Sequence, residues 1–146
     1  MGLWSRLFGG REDVPARRSP TVGDWTIAIP SDFELIDNGD SWQACKDDRV
    51  VYIGSLSANR AKGRKVPARE LHAMGAKKLD GAGPGERSRI TTANLMGEAQ
   101  IARTESGWQL TGFMVTDGVI ATCVIDFQEE SGKGWALSTW QSLDHP

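Results

Sequence analysis

The chain has little of what metal and nucleophilic chemistry is usually built from. Its 146 residues include two cysteines, Cys45 and Cys123, and two histidines, His72 and His145. Two thiols are too few for a disulfide scaffold. With no C-x-x-C pair and no grouped histidines, no metal-ligand set is legible, and neither a metal nor a cofactor is expected. Long apolar runs are missing as well, and a membrane-spanning helix needs about 20 such residues. The glycine cluster Gly81-Ala82-Gly83-Pro84-Gly85 continues into Glu86 and Arg87, where a phosphate loop requires Lys and then Ser or Thr. It also ends a helical pattern instead of opening one, so it reads as a connector. No G-x-S-x-G elbow is present. A net charge of −2 argues against whole-protein attraction to nucleic acid.

What remains is an ordinary globular composition. Hydrophobic residues make up 39% and charged residues 25%, which excludes wholesale disorder. The length suits one domain, read as residues 21–146, preceded by an N-terminal amphipathic segment and linker over residues 1–20. The clearest pattern lies near the C-terminal end. Trp108, Leu110, Gly112 and Met114 share one face of a strand, and Val119, Ala121, Cys123, Ile125 and Phe127 share one face of the next. Thr116-Asp117-Gly118 turns between them. A period of two is a strand pattern, not a helical one.

The same reading extends back along the chain. Trp25, Ile27 and Ile29 alternate up to Pro30, and Phe33 to Ile36 runs into the hairpin signal Asp37-Asn38-Gly39-Asp40. Strands are expected over 41–46, 50–57, 88–92 and 95–104. Between them Leu71, Met74 and Leu79, opened by Pro67, predict one helix that Gly75 weakens. Trp135, Leu137, Trp140 and Leu143 predict a short closing helix. The fold class is therefore α+β, a central antiparallel sheet of about six to seven strands with helices packed on it.

The opening Trp-x-Ile-x-Ile-Pro-x-x-Phe (Trp25 to Phe33), the order of elements and the ending Ser142-Leu143 resemble the PsbP-like fold family. That family includes an extrinsic subunit of photosystem II, a fungal Ran-binding nuclear import factor and bacterial proteins of unassigned role. The resemblance covers about residues 22–143. It implies an α/β/α sandwich and a tendency to bind proteins, with no shared catalytic motif.

Charge is the polar feature with most force. Residues 60–89 hold nine basic residues (Arg60, Lys62, Arg64, Lys65, Arg69, Lys77, Lys78, Arg87 and Arg89) against three acidic ones. The remainder holds eight basic and sixteen acidic. Such a dipolar molecule can steer an acidic protein onto one edge. Nucleic acid is a weaker candidate, because the span lacks aromatics on which bases could stack. Arg60, Lys62, Arg64, Lys65 and Arg69 are the candidate binding residues. Trp42 and Trp108 join them as candidate surface aromatics because each flanks a turn, while Trp25 is assigned to the core. The expected function is a non-enzymatic protein-binding or adaptor module with an acidic protein partner.

Two alternatives come from other classes. Cys45, beside Lys46, with His72 could form a thiol enzyme if the fold joined them. Residues 1–8 carry Leu3, Trp4, Leu7 and Phe8 at helical spacing before Gly9-Gly10. They suit a small helix on the domain or a weak membrane-surface contact. No export-signal pattern is visible, which makes a reducing cytoplasm the expected compartment. Sedimentation with liposomes separates the two roles of residues 1–8. A membrane contact predicts binding that is lost when Leu3, Trp4 and Phe8 become serine.

Overall fold

Alternating, β-branched sequence gives nine strands in the computed structural model, which describes residues 14–146. β1 (Ala16–Pro20) and β2 (Thr26–Pro30) form an antiparallel pair of their own. The other seven are β3 (Glu34–Asp37), β4 (Ser41–Lys46), β5 (Arg49–Ser57), β6 (Glu86–Thr91), β7 (Met96–Thr104), β8 (Gly107–Thr116) and β9 (Val119–Phe127). They make one antiparallel sheet in the order β3-β4-β5-β9-β8-β7-β6. Helices α1 (Ala68–Asp80) and α2 (Lys133–Gln141) pack on it, so the architecture is α+β as expected.

Local sequence explains most of the pairings. In the β3–β4 turn Gly39 takes φ 82°, and its N–H donates to Asp37 Oδ1 at 2.8 Å. Only the β5–β9 pairing joins strands distant in the chain, with Ile53 opposite Cys123 and Val51 opposite Ile125. It closes the sheet by placing the most apolar strands at its centre.

The two faces of the sheet are covered differently. Trp42, Val51, Ile53, Leu110, Met114 and Ile125 point to one face, where the β1–β2 hairpin and α2 bury them with Trp25, Ile27 and Leu143. At its centre lies Trp140, fully buried, its Nε1–H donating to the Phe113 carbonyl at 3.2 Å. The indole fits because the strands beneath it carry glycine. A Cβ on Gly112 would stand 3.0 Å from the indole nitrogen. One on Gly97 would stand 2.4 Å from the Phe113 carbonyl oxygen. The opposite face has α1, which buries Phe113 and Val115 against Leu71 and Leu79.

Several expectations change. Residues 16–20, read as linker, are β1. Ala16-Arg17-Arg18-Ser19-Pro20 shows no apolar alternation, because the strand is held through its backbone to β2 and through Arg18 to the Ser142 carbonyl. Trp42 is 2% exposed, so it is core and not a surface aromatic. The turn ends at Asp40, and the pleat then points the next indole inward. In α2 the buried positions are Ala136, Thr139 and Trp140, while Trp135 and Leu137 are only half-buried. The N-terminal amphipathic segment lies outside the described residues.

Gly97→Ala should destabilise the protein by about 1–3 kcal/mol through overpacking beneath Trp140. Gly134→Ala meets nothing within 4 Å in α2 and should be neutral or stabilising by up to about 1 kcal/mol. Urea unfolding monitored by tryptophan fluorescence checks both.

Candidate functional site

Helix α1 starts after Pro67, which needs no helical donor, and the Ala68 N–H donates to Asp117 Oδ1 at 2.9 Å. A carboxylate from the β8–β9 turn thus caps the helix and complements its dipole. Midway along the helix, Gly75 faces the Phe113 ring so closely that a Cβ would stand 2.7 Å from it. The glycine that weakened the helix as a sequence signal sets its close approach to the sheet.

The two flanks of α1 then differ in chemistry. On the β7 side, Glu98 is 3% exposed and meets one histidine and two arginines. His72 Nε2 lies 2.8 Å from Glu98 Oε2, and Arg87 Nη1 and Arg89 Nη2 lie 3.3 and 3.6 Å from Oε1. Arg87 also pairs with Asp80 at 2.9 Å, and Gln100 Nε2 donates to the Gly83 carbonyl at 3.0 Å. A buried carboxylate is tolerable only with such partners. This network pins α1 towards the β6–β7 side of the sheet.

The other flank, Leu71, Met74, Lys78 and Ala82 at helical spacing, overhangs sheet that no described element covers. Between it and the strands runs an apolar groove of about 640 Å³. Its floor is Ile120, Thr122 and Val124 of β9 with Phe113 of β8, and Leu56 to Ala58 close its far side. Leu56 and Met74 on opposite rims are each 65% exposed. The apolar surface continues outward along the register Val124–Tyr52–Gln43–Ile36, where Tyr52 and Ile36 are exposed too. The lining has no acidic residue, histidine or cysteine, and its one charge is Lys78. Such a surface can bind but offers no general acid, base or thiol nucleophile.

The candidate basic residues lie at one end of this groove. The chain leaves β5 at Ser57, passes Arg60, Lys62, Arg64 and Lys65, and returns when the Val66 N–H bonds the Ala58 carbonyl. Arg60 pairs with Glu70. Lys62, Arg64, Lys65, Arg69, Lys77 and Lys78 hold no ion-pair partner among the described residues. All six are exposed.

The other candidates do not join them. Trp108 is half-buried on the opposite sheet face, with Lys133 Nζ 4.1 Å and Arg103 Cζ 5.5 Å from its ring. A hydrogen bond to Glu86 raises the pKa of Lys133. Cys45 and His72 do not form a pair. Cys45 is on β4, four strands or about 19 Å of sheet from β7, where His72 meets Glu98. Cys123 is fully buried in the core, and burial pushes its thiol pKa up. No group of three or more metal-ligating side chains occurs among the described residues.

Sequence reasoning missed Leu56, Met74, Ile120 and Val124. A signal was present: Val50-Val51-Tyr52-Ile53 is apolar on both faces of one strand, which implies apolar contact on both sides of the sheet.

Neither a family model nor a curated protein matches the chain. Among solved structures it is similar to a protein from Bacteroides thetaiotaomicron VPI-5482, with a TM-score of 0.58 at 12% identity over 92% of this chain. The match takes in 49% of that protein, so the chain spans about half its length. At this identity the likeness shows the fold alone.

Glu98→Gln removes the charge that His72, Arg87 and Arg89 surround. It should cost about 1–3 kcal/mol, and α1 amides should lose hydrogen-exchange protection before those of β8 and β9.

Proposed function

We propose that the chain is a non-enzymatic protein-binding or adaptor module that works through the groove beside α1. The observation that carries this reading is an open apolar groove lined without acidic residue, histidine or cysteine and bordered by cations that hold no ion pair among the described residues. Extended apolar surface rimmed by polar residues marks interaction sites, and exposed Leu56, Met74, Tyr52 and Ile36 carry the groove's apolar lining outward. Magnitudes divide the labour. Burying the exposed 65% of Leu56 and of Met74 would contribute about 1–2 kcal/mol each, whereas an exposed lysine–carboxylate pair adds about 0–1 kcal/mol. The apolar rims therefore supply affinity, and the cations supply orientation and partner choice.

An acidic protein fits this division better than nucleic acid, because the basic span 60–89 itself carries no aromatic on which bases could stack. The PsbP-like resemblance, which implies protein binding without a shared catalytic motif, supports the same reading. A cytoplasmic setting accompanies it as part of the proposal.

The test is affinity capture from native lysate with three baits, followed by titration of the purified partner against each. The wild type should retain one partner. Thr122→Trp, which fills the groove floor from an exposed position, should lose it. Arg64→Glu with Lys65→Glu should leave the unfolding midpoint unchanged and weaken binding in a salt-dependent way. A partner held equally by all three baits would sink the proposal.

A further inference from the structure

The groove has the dimensions of a second helix lying beside α1. Its wall from Leu71 to Leu79 runs about 12 Å along α1, and Ala82 extends it just past the last turn of the helix. Its floor from Ile120 to Val124 covers about 13 Å of strand. A helix is about 10 Å across and packs 8–10 Å from its neighbour. The uncovered width over β9, β5, β4 and β3 is about 19 Å, which leaves room for one. An extended peptide suits this place poorly. Strands add at sheet edges, where backbone donors are free, and this floor presents side chains only. A helix satisfies its own backbone groups and can lie on an apolar floor.

Charge then selects among helices. Lys78 stands on the wall, further unpaired cations lie at the Ala58 end, and the lining contains no acid. Residues 1–8 of this chain carry Arg6, and α1 of a second copy would present Arg69, Lys77 and Lys78. Either would set cation against cation. We infer that the occupant is an amphipathic helix of another protein, about three turns long, apolar on one face and acidic on the flank that meets Lys78. The inference rests on the protein-binding reading and gives it a partner class.

Two synthetic peptides of about 14 residues test it. Both carry leucines at the same helical spacing, one flanked by glutamates and the other by lysines. Each is titrated by fluorescence anisotropy against the full chain. The acidic peptide should bind at least about tenfold more tightly and become helical by circular dichroism. Lys78→Glu should cut that preference severalfold, while Thr122→Trp and Leu56→Ser should each weaken both peptides.

Equal binding of the two peptides, or a preference indifferent to Lys78→Glu, overturns the acidic class but leaves the groove as the site if Thr122→Trp still blocks it. Binding untouched by both Thr122→Trp and Leu56→Ser overturns this inference and the protein-binding reading together. An acidic peptide that binds without becoming helical overturns the helical class. No binding by either peptide, binding only after Leu7→Ser with Phe8→Ser, or a dimer of the chain that the peptide dissociates each overturns the proposed occupant.

Discussion

A seven-stranded sheet has two faces to remove from water, and the described chain covers one of them and half of the other. The first face receives the β1–β2 hairpin and α2, packed around Trp140 on its glycine seat. The second receives α1 alone. One helix is about 10 Å wide, while seven strands span several times that. Exposed Leu56, Met74 and Tyr52 follow from this shortfall, and they stand together because register aligns β9, β5 and β4.

Where the bare half lies is decided by polar chemistry. Glu98 cannot be buried without polar partners, and those available are His72 on α1 with the cations Arg87 and Arg89 on β6. Their convergence draws the helix to one side of the sheet. Gly75 lets it settle onto Phe113, and Asp117 holds its first turn. An ion-pair network on one flank therefore positions an apolar surface on the other. The groove wall is only as steady as that network, which links a buried carboxylate on one flank to the shape of the groove on the other.

Much of the fold was legible from periodicity. The hairpins announced themselves through Asn38-Gly39 and Asp117-Gly118, and the strands through alternation in 108–127. Two indoles show the limit of such reading. Trp42 follows a turn and looked like a surface residue, yet the pleat points it into the core. Trp108 also follows a turn and lies half-buried between cations, on the face opposite the groove. Proximity to a turn does not say which side of the sheet a residue takes. β1 escaped notice for a related reason, since its pairing with β2 is made by backbone groups that carry no sequence signature.

The amino-acid sequence by itself determined the element order, the antiparallel hairpins and the basic character of residues 60–89. These depend on neighbours within a few residues or on composition alone. Only the tertiary structure decided that β5 pairs with β9, that α1 sits off-centre and that Cys45 and His72 are held far apart. Each is a relation between residues distant in the chain, set by which surfaces can be buried together. The groove belongs to this second kind. Its residues come from β5, α1, β8 and β9, and the two-sided apolar run in β5 hints at contact on both faces without saying which elements share it.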